Sequence, residues 1–302
     1  MMPGALMFIK ALTSLHPGAG TALEAIDLPI QREKHTDWPM IQGGSVKGVL
    51  RDVARRKVAD VRGISLQEAD AHEEVTRSFG PPVGQGDASE FGGSLVVSDA
   101  RIAAFPVRSL KGVYALITCP MAVKRLVDDC GLAGVGTPGA APTVNEGECL
   151  CATSDTLFFG EDSAPHKAVL EDFAVTRTGD GEAARTLADW LGVDPGRLVI
   201  VHDDLFTFCV RYRTEVITRN ALDPATKTVA GGALWSEEFL PPETLLYSVL
   251  LAERAYGGGE PEKIMANARC WFDAESAQFG GDASTGKGIC ALSLKSGAGE
   301  RQ

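Results

Sequence analysis

No stretch of these 302 residues is long and apolar enough to span a bilayer. The apolar opening, MMPGALMFIKALTSL, lacks a basic leading segment and is interrupted by Lys10. It therefore reads as a buried first strand rather than a signal peptide. The seven cysteines, at positions 119, 130, 149, 151, 209, 270 and 290, contain no C-x-x-C pair, so zinc-ribbon and dithiol-redox spacings are excluded. An odd cysteine count without a leader points to a reducing cytoplasm. Positive charge is short overall: 29 Lys and Arg against 40 Asp and Glu give a net charge of −11, which argues against a protein coated all over in nucleic acid. There is no internal repeat. The 44% hydrophobic and 23% charged content is that of a globular protein, and the length allows one or two domains with a real core.

What positive charge there is gathers in one place. Residues 31–57 hold seven Lys/Arg against three Asp/Glu. The segment IDLPIQREKHTDWPMIQGGSVKGVLR begins with Asp27, followed closely by Arg32, Lys34 and His35. Gly43-Gly44-Ser45 then opens a helix, with Ser45 as the expected N-cap. Lys47, Arg51 and Arg55 recur every four residues and share one face, while Val46, Val49, Leu50, Val53 and Val58 share the opposite one. A glycine-led helix start exposes N–H groups to phosphate, and the cationic stripe extends that attraction along a polyanion. A solvated helix face is the competing reading of the stripe.

Along the rest of the chain, periodicity predicts a strand over 6–15, a helix from 45 to about 62, a short helix over 64–78 and a glycine- and proline-rich loop over 80–93. Strands follow at 95–97 and 112–118, then a helix over 120–130 and an exposed loop over 131–147. Within the mixed signals of 150–200, a helix over 183–191 stands out. Residues 206–212 alternate like a strand, with a polar turn at 220–228, a strand over 244–251, a helix over 261–272 and a closing strand over 288–294. The order β-α-β-β-α-β with long insertions suggests an α+β ferredoxin-like fold.

At residues 26–51 the sequence resembles the backbone RAMP subunits of type III-B CRISPR effector complexes, the Cmr complexes of the Cas-seven superfamily. DLPIQREKHT followed by P-x-I-x-G-x-S-x-K-G-x-x-R carries the likeness. So do Leu15-His16-Pro17-Gly18-Ala19-Gly20, Ser98-Asp99-Ala100-Arg101 with Phe105-Pro106-Val107-Arg108-Ser109, Ala233-Leu234-Trp235-Ser236-Glu237-Glu238 with Leu240-Pro241-Pro242-Glu243-Thr244, and the run from Gly280 through Gly281, Thr285, Gly286 and Lys287 to Gly288. The likeness is strong near 6–57, 79–120, 228–247 and 278–291 and weak over 132–204. Two departures stand out. Asp37-Trp38 replaces the usual Gly-Phe, which would weaken local phosphate attraction, and Gly44 replaces a serine.

The resemblance implies one RAMP domain over 1–302, a modified ferredoxin-like or RNA-recognition-motif core. It carries insertions at about 60–93 and 132–204 and a thumb hairpin at about 211–237. It also implies a cytoplasmic subunit that binds guide CRISPR RNA, packs head-to-tail with further copies and other Cmr subunits, and cleaves complementary single-stranded target RNA. Asp27 would be the catalytic aspartate, acting as a base or by holding a divalent cation, Mg²⁺ or Mn²⁺. On residues alone, Asp27 reads first as a loop aspartate that caps a turn or pairs with Arg32. His16 either approaches the same phosphate or bonds its own loop. Glu237 and Glu238 either assist a neighbouring copy's site or are solvated. Expected RNA contacts are Arg32, Gly44, Ser45, Lys47, Arg51, Gly280, Gly281, Thr285, Gly286 and Lys287.

The last of these loops, G-x-x-x-x-G-K, is most of a Walker A motif, but Gly288 stands where Ser or Thr is needed and only about fourteen residues follow. The nucleotide-binding reading is rejected. A rival to the nuclease remains: a scaffold that coats guide RNA without chemistry.

Overall fold

The computed structural model describes residues 2–21, 25–82, 92–153, 155–160, 166–222, 226, 229–254 and 260–297. In chain order, β1 (Gly4–Ala11) leads through β2 (Met40–Ile41) to α1 (Gly43–Arg62), then α2 (Leu66–Asp70), α3 (Glu73–Phe79), β3 (Leu95–Val97) and β4 (Ala100–Ser109). Next come β5 (Val113–Thr118), α4 (Pro120–Ala133), β6 (Glu148–Cys151), β7 (Lys167–Leu170), β8 (Phe173–Arg177), α5 (Glu182–Leu191), β9 (Leu198–Val201) and α6 (Asp203–Tyr212). A hairpin of β10 (Glu215–Leu222) and β11 (Val229–Phe239) precedes β12 (Leu245–Ala252), α7 (Pro261–Phe272), β13 (Ser276–Gln278) and β14 (Ile289–Ser296).

The ferredoxin-like core is plain in the strand order β14-β1-β12-β4, all antiparallel. With α1 after β1 and α7 after β12, that is β-α-β-β-α-β with strand order 4-1-3-2. Side chains explain the layers. In β1, Ala5, Met7, Ile9 and Ala11 face one core, shared with α1 and α7. Leu6 and Phe8 face the other, which also holds Val123 and Leu126 of α4. β12 is buried at every position, which needs cover on both faces. The chain between β4 and β12 forms the extension β5-β9-β6-β8-β7 and the separate β10-β11 sheet.

Most elements match their sequence patterns, and four corrections matter. Residues 206–212 belong to a helix, not a strand. His202 accepts from Asp204 N–H, Asp203 and Asp204 fill the first turn, and Phe206, Cys209 and Val210 bury one face at helical spacing. α1 starts two residues before Ser45. Gln42 is its N-cap and offers no side-chain bond, so Ser45 lies inside the first turn. The strand β4 went unread because Pro106 interrupts it. The expected helix over 64–78 is two, α2 with a Ser65–Glu68 capping box and α3. Most of the expected 80–93 loop and much of the 220–228 turn fall outside the described residues.

α1 forms because Val46, Leu50, Ala54 and Val58 repeat every four residues and are all buried. Full burial of Leu50 alone is worth about 1.5–3 kcal/mol. Gly63 ends the helix in the left-handed conformation, at φ 64°, its N–H bonding Ala59 O. No helix among the described residues is long and apolar enough to cross a membrane.

Candidate functional site

Two loops from the N-terminal quarter pair with the base of the β10-β11 hairpin. Leu15 exchanges backbone bonds with Leu240, at 2.9 and 2.8 Å. Leu28 N–H donates to Ser236 O and Leu28 O accepts from Glu238 N–H, both at 3.0 Å. This pairing brings His16, Asp27, Glu237 and Glu238 together, although more than two hundred residues of sequence separate the two groups.

Asp27 is exposed, and its orientation is fixed by one partner. Ser236 N–H and Oγ–H both donate to Asp27 Oδ2, at 2.7 and 2.8 Å, while Asp27 N–H donates to Ser236 Oγ at 3.0 Å. These bonds, the backbone one foremost, hold the carboxyl below its usual value of 3.8. Asp27 does not pair with Arg32. Ser236 escaped the sequence reading because no spacing links it to Asp27; its only signal was its place beside the two glutamates.

The glutamates are not solvated. Glu238 Oε1 accepts from Arg32 Nη2 at 2.6 Å and from Thr214 Oγ1 at 2.7 Å, and Oε2 accepts from Ile30 N–H at 3.0 Å. Glu237 Oε1 accepts from Trp235 Nε1 at 2.6 Å. Its Oε2 lies 2.8 Å from Arg219 Nε as an ion pair, the N–H angled off the line of a hydrogen bond. His16 is nearly closed to solvent and bonds Glu238 O through Nδ1 at 2.6 Å, so in the neutral ring Nδ1 carries the proton and Nε2 is the acceptor.

The C-terminal glycine loop meets the same cluster. Gly281 N–H donates to His16 O, and Gly288 N–H to Ser14 O. Gly280 sits at φ 73°, where an added Cβ would lie 2.0 Å from His16 O, so only glycine fits. Lys287 Nζ stands 5.0 Å over the Phe239 ring, and Thr285 Oγ–H turns back to Asp282 O. Gly281 and Gly286 are exposed. The loop runs on into the strand β14, whereas a Walker loop feeds a helix. Arg219 clips the loop to the hairpin by bonding both Asp282 oxygens, at 3.4 and 3.0 Å.

The helix start lies nearby through Gln31, whose side chain spans Gly18 O and Gln42 N–H. Asp99, another residue not singled out from sequence, accepts from Gly43 N–H at 2.7 Å. It therefore already occupies part of the helix terminus. Gly44 and Ser45 are exposed, and a Cβ at Gly44 would meet nothing. Along the stripe, Arg51 bonds Asp70 at 2.8 Å and Arg55 bonds Asp52. Lys47 has no acidic partner among the described residues; partial burial, and then the neighbouring Arg51, lower its pKa.

Arg32 is mostly enclosed. Its guanidinium donates to Asp37 O and Val210 O and reaches Arg211 O, besides Glu238, so it caps the end of α6 and ties it to the hairpin base. Asp37 stands at φ 63°, a conformation usual for glycine, and bonds Arg211 Nε at 2.8 Å. Its charge is thus partly answered within the chain. Trp38 is buried and bonds Thr207 Oγ1.

A RAMP superfamily model matches residues 8–291. The chain is 34% identical to the CRISPR system Cmr endoribonuclease Cmr4 of Pyrococcus furiosus, over 97% of this chain and 96% of that one. The chain belongs to the Cmr4 family of RAMP proteins. The structure of oligomeric Cmr4 from Pyrococcus furiosus superposes with a TM-score of 0.71 at 28% identity, covering 98% of this chain and 99% of that one. A Cmr4-like fold also recurs at a TM-score of 0.72 and 22% identity in a chain of the type III-B Cmr-beta complex bound to cognate target RNA, over 96% of each chain. This Cmr4-family chain thus keeps the fold along essentially its whole length.

Proposed function

We propose that this Cmr4-family protein lines up head-to-tail along guide CRISPR RNA in a Cmr complex and cuts complementary single-stranded target RNA at Asp27. The observation that carries the reading is the exposed Asp27 carboxylate, locked by Ser236 beside a cluster that joins the hairpin base to the glycine loop. The glycine loop and the α1 face bearing Lys47 would hold guide phosphates by charge and N–H groups, and base pairing would supply sequence specificity. The β10-β11 hairpin, with Val216 and Leu234 exposed on it, would serve as the thumb that distorts the paired strand. Seven cysteines, all free, fit work in a reducing cytoplasm.

Cleavage next to a 2′-hydroxyl needs that oxygen in line with phosphorus and charge stabilised on the phosphoryl oxygens. A carboxyl with a depressed pKa is a poor base and a persistent anion, which favours the cation-holding role over direct proton removal. Among the described residues no three His, Cys, Asp or Glu gather to cage a metal. A lone carboxylate suits a weakly held Mg²⁺ or Mn²⁺ completed by substrate phosphate and water. When bound, the ion would act as Lewis acid on the phosphoryl oxygen. Asp27 itself would orient that charge, while Ser236 keeps the carboxylate from rotating. His16, through Nε2, would face the same phosphate as a positioning group, and buried Glu237 and Glu238 would hold the hairpin base.

The test is target cleavage by the reconstituted complex carrying Asp27→Ala, with parallel reactions of the unaltered complex in EDTA. Cleavage should disappear in the variant while guide binding stays nearly intact, and EDTA should stop the unaltered complex. Normal cutting by the variant would overturn the assignment of cutting to Asp27, and normal cutting in EDTA would remove the cation.

A further inference from the structure

Asp282 is an unexpected residue for a loop that should receive phosphate. It sits inside GGDASTGKG, at φ 61°, and its carboxylate is spanned by Arg219 of β10. The same guanidinium faces Glu237 Oε2 at 2.8 Å. Glu237 is joined by a peptide bond to Ser236, which grips Asp27 Oδ2 from both its N–H and its hydroxyl. Glycine loop, hairpin and Asp27 are therefore connected by an unbroken run of short contacts: Asp282 to Arg219, Arg219 to Glu237, Ser236 to Asp27.

The run is built to transmit position. Glu237 is buried, and the Arg219 side chain is 22% exposed, so neither relaxes freely into water. A planar guanidinium bonded on one edge to a carboxylate fixes direction as well as distance. The Arg219 guanidinium carbon also lies 5.7 Å from the Phe239 ring centroid, against which Lys287 packs from the loop. The loop thus reaches the hairpin base through two cations.

We propose that Arg219 is a positioning residue that couples the glycine loop to Asp27, so that seating of guide RNA at the loop sets the orientation of the target-cutting carboxylate. This deepens the nuclease reading and rests on it. Asp282 acts as the latch on the loop side and Glu237 as the latch on the hairpin side.

The decisive variant is Asp282→Asn, because simple charge and the coupling give opposite signs. Asn tolerates the left-handed backbone, so the loop keeps its path. Removing an acid from a phosphate-receiving loop should leave guide affinity equal or higher. Loss of the latch should nevertheless slow single-turnover cleavage, at saturating guide and target, about tenfold, within the usual range for coupling between sites. Arg219→Ala should slow it as much, and the double variant no further, since both break one connection. Arg219→Lys, which can meet only one of the two acids, should restore part of the rate.

Unchanged cleavage in Asp282→Asn, or additive losses in the double variant, would overturn the coupling. A rate loss that disappears when guide concentration is raised would show a binding defect and overturn it too. Failure of the underlying nuclease reading is separately visible as full cutting by Asp27→Ala.

Discussion

Arg32 Nη2 lies 2.6 Å from Glu238 Oε1, with the Glu238 side chain only 4% exposed and that of Arg32 16% exposed. The pair joins the loop that carries Asp27 to the strand that carries Ser236. Its worth lies in what happens when it is broken, because a buried carboxylate left alone is costly. Arg32→Ala should therefore destabilise the fold by about 3–5 kcal/mol, seen in urea unfolding of the isolated subunit. Adding Glu238→Gln should recover part of that loss. If Arg32→Ala unfolds like the parent and only RNA affinity drops, Arg32 is an RNA contact rather than a clamp.

The Asp27 carboxyl is held below its ordinary value of 3.8 by bonds that Ser236 makes to the ionised form. A depressed folded pKa means that this stabilisation is present above the unfolded value and is lost as pH falls through the folded one. Ser236→Ala removes the hydroxyl bond and leaves the backbone one, so the pKa should rise part of the way. The acid limb of the pH–rate profile should move to higher pH in the variant. An unmoved limb would mean that Asp27 ionisation does not govern the rate.

Lys47 and Arg51 share a helix face but not a situation. Arg51 is engaged by Asp70, whereas Lys47 is free of acidic partners among the described residues. Lys47→Ala should weaken guide binding and lower the slope of log affinity against log salt by about one. Arg51→Ala should change the slope less and cost stability where α1 meets α2. Filter binding across a salt series distinguishes the two, and equal slopes would refute the difference.

Gly280 and Gly286 both have positive φ, at 73° and 76°, yet only Gly280 is crowded. Gly286→Ala should cost backbone strain alone, about 1–2 kcal/mol. Gly280→Ala would drive a methyl into His16 O and displace the loop, so guide affinity should fall far more. Comparable affinities for the two would mean that the loop's contact with His16 has no bearing on RNA.

The helix α1 was legible from its period, but β1 and β12 are apolar runs buried on both faces and β4 was not marked by pattern, so the ferredoxin-like order leaned on the family likeness. Residues 206–212 misled because Phe206, Phe208, Val210 and Tyr212 alternate by chance, while the His202-Asp203-Asp204 helix start was not weighed against them. The family likeness brought Asp27, His16 and the glutamates forward, but not their surroundings. Ser236, Arg219, Asp282 and Asp99 act through partners far away in the chain, and no local spacing encodes such pairs. The clamping contacts of Arg32 were hidden for the same reason: its four acceptors come from three separate stretches.

Strand β1 has consequences for how the molecule is made. Gly4 pairs with Leu251 and Ala5 with Ser296, so β1 leaves the ribosome long before the strands β12 and β14 that flank it. Until then its apolar residues have no lasting neighbours, and the inserted β5-β9-β6-β8-β7 strands share the same two cores and wait with it. Such distant closure makes for slow folding and exposes unpaired edges. Newly made chains should thus depend on holdase protection until β12 and β14 have emerged, and truncation just before β12 should yield aggregates instead of a smaller folded protein.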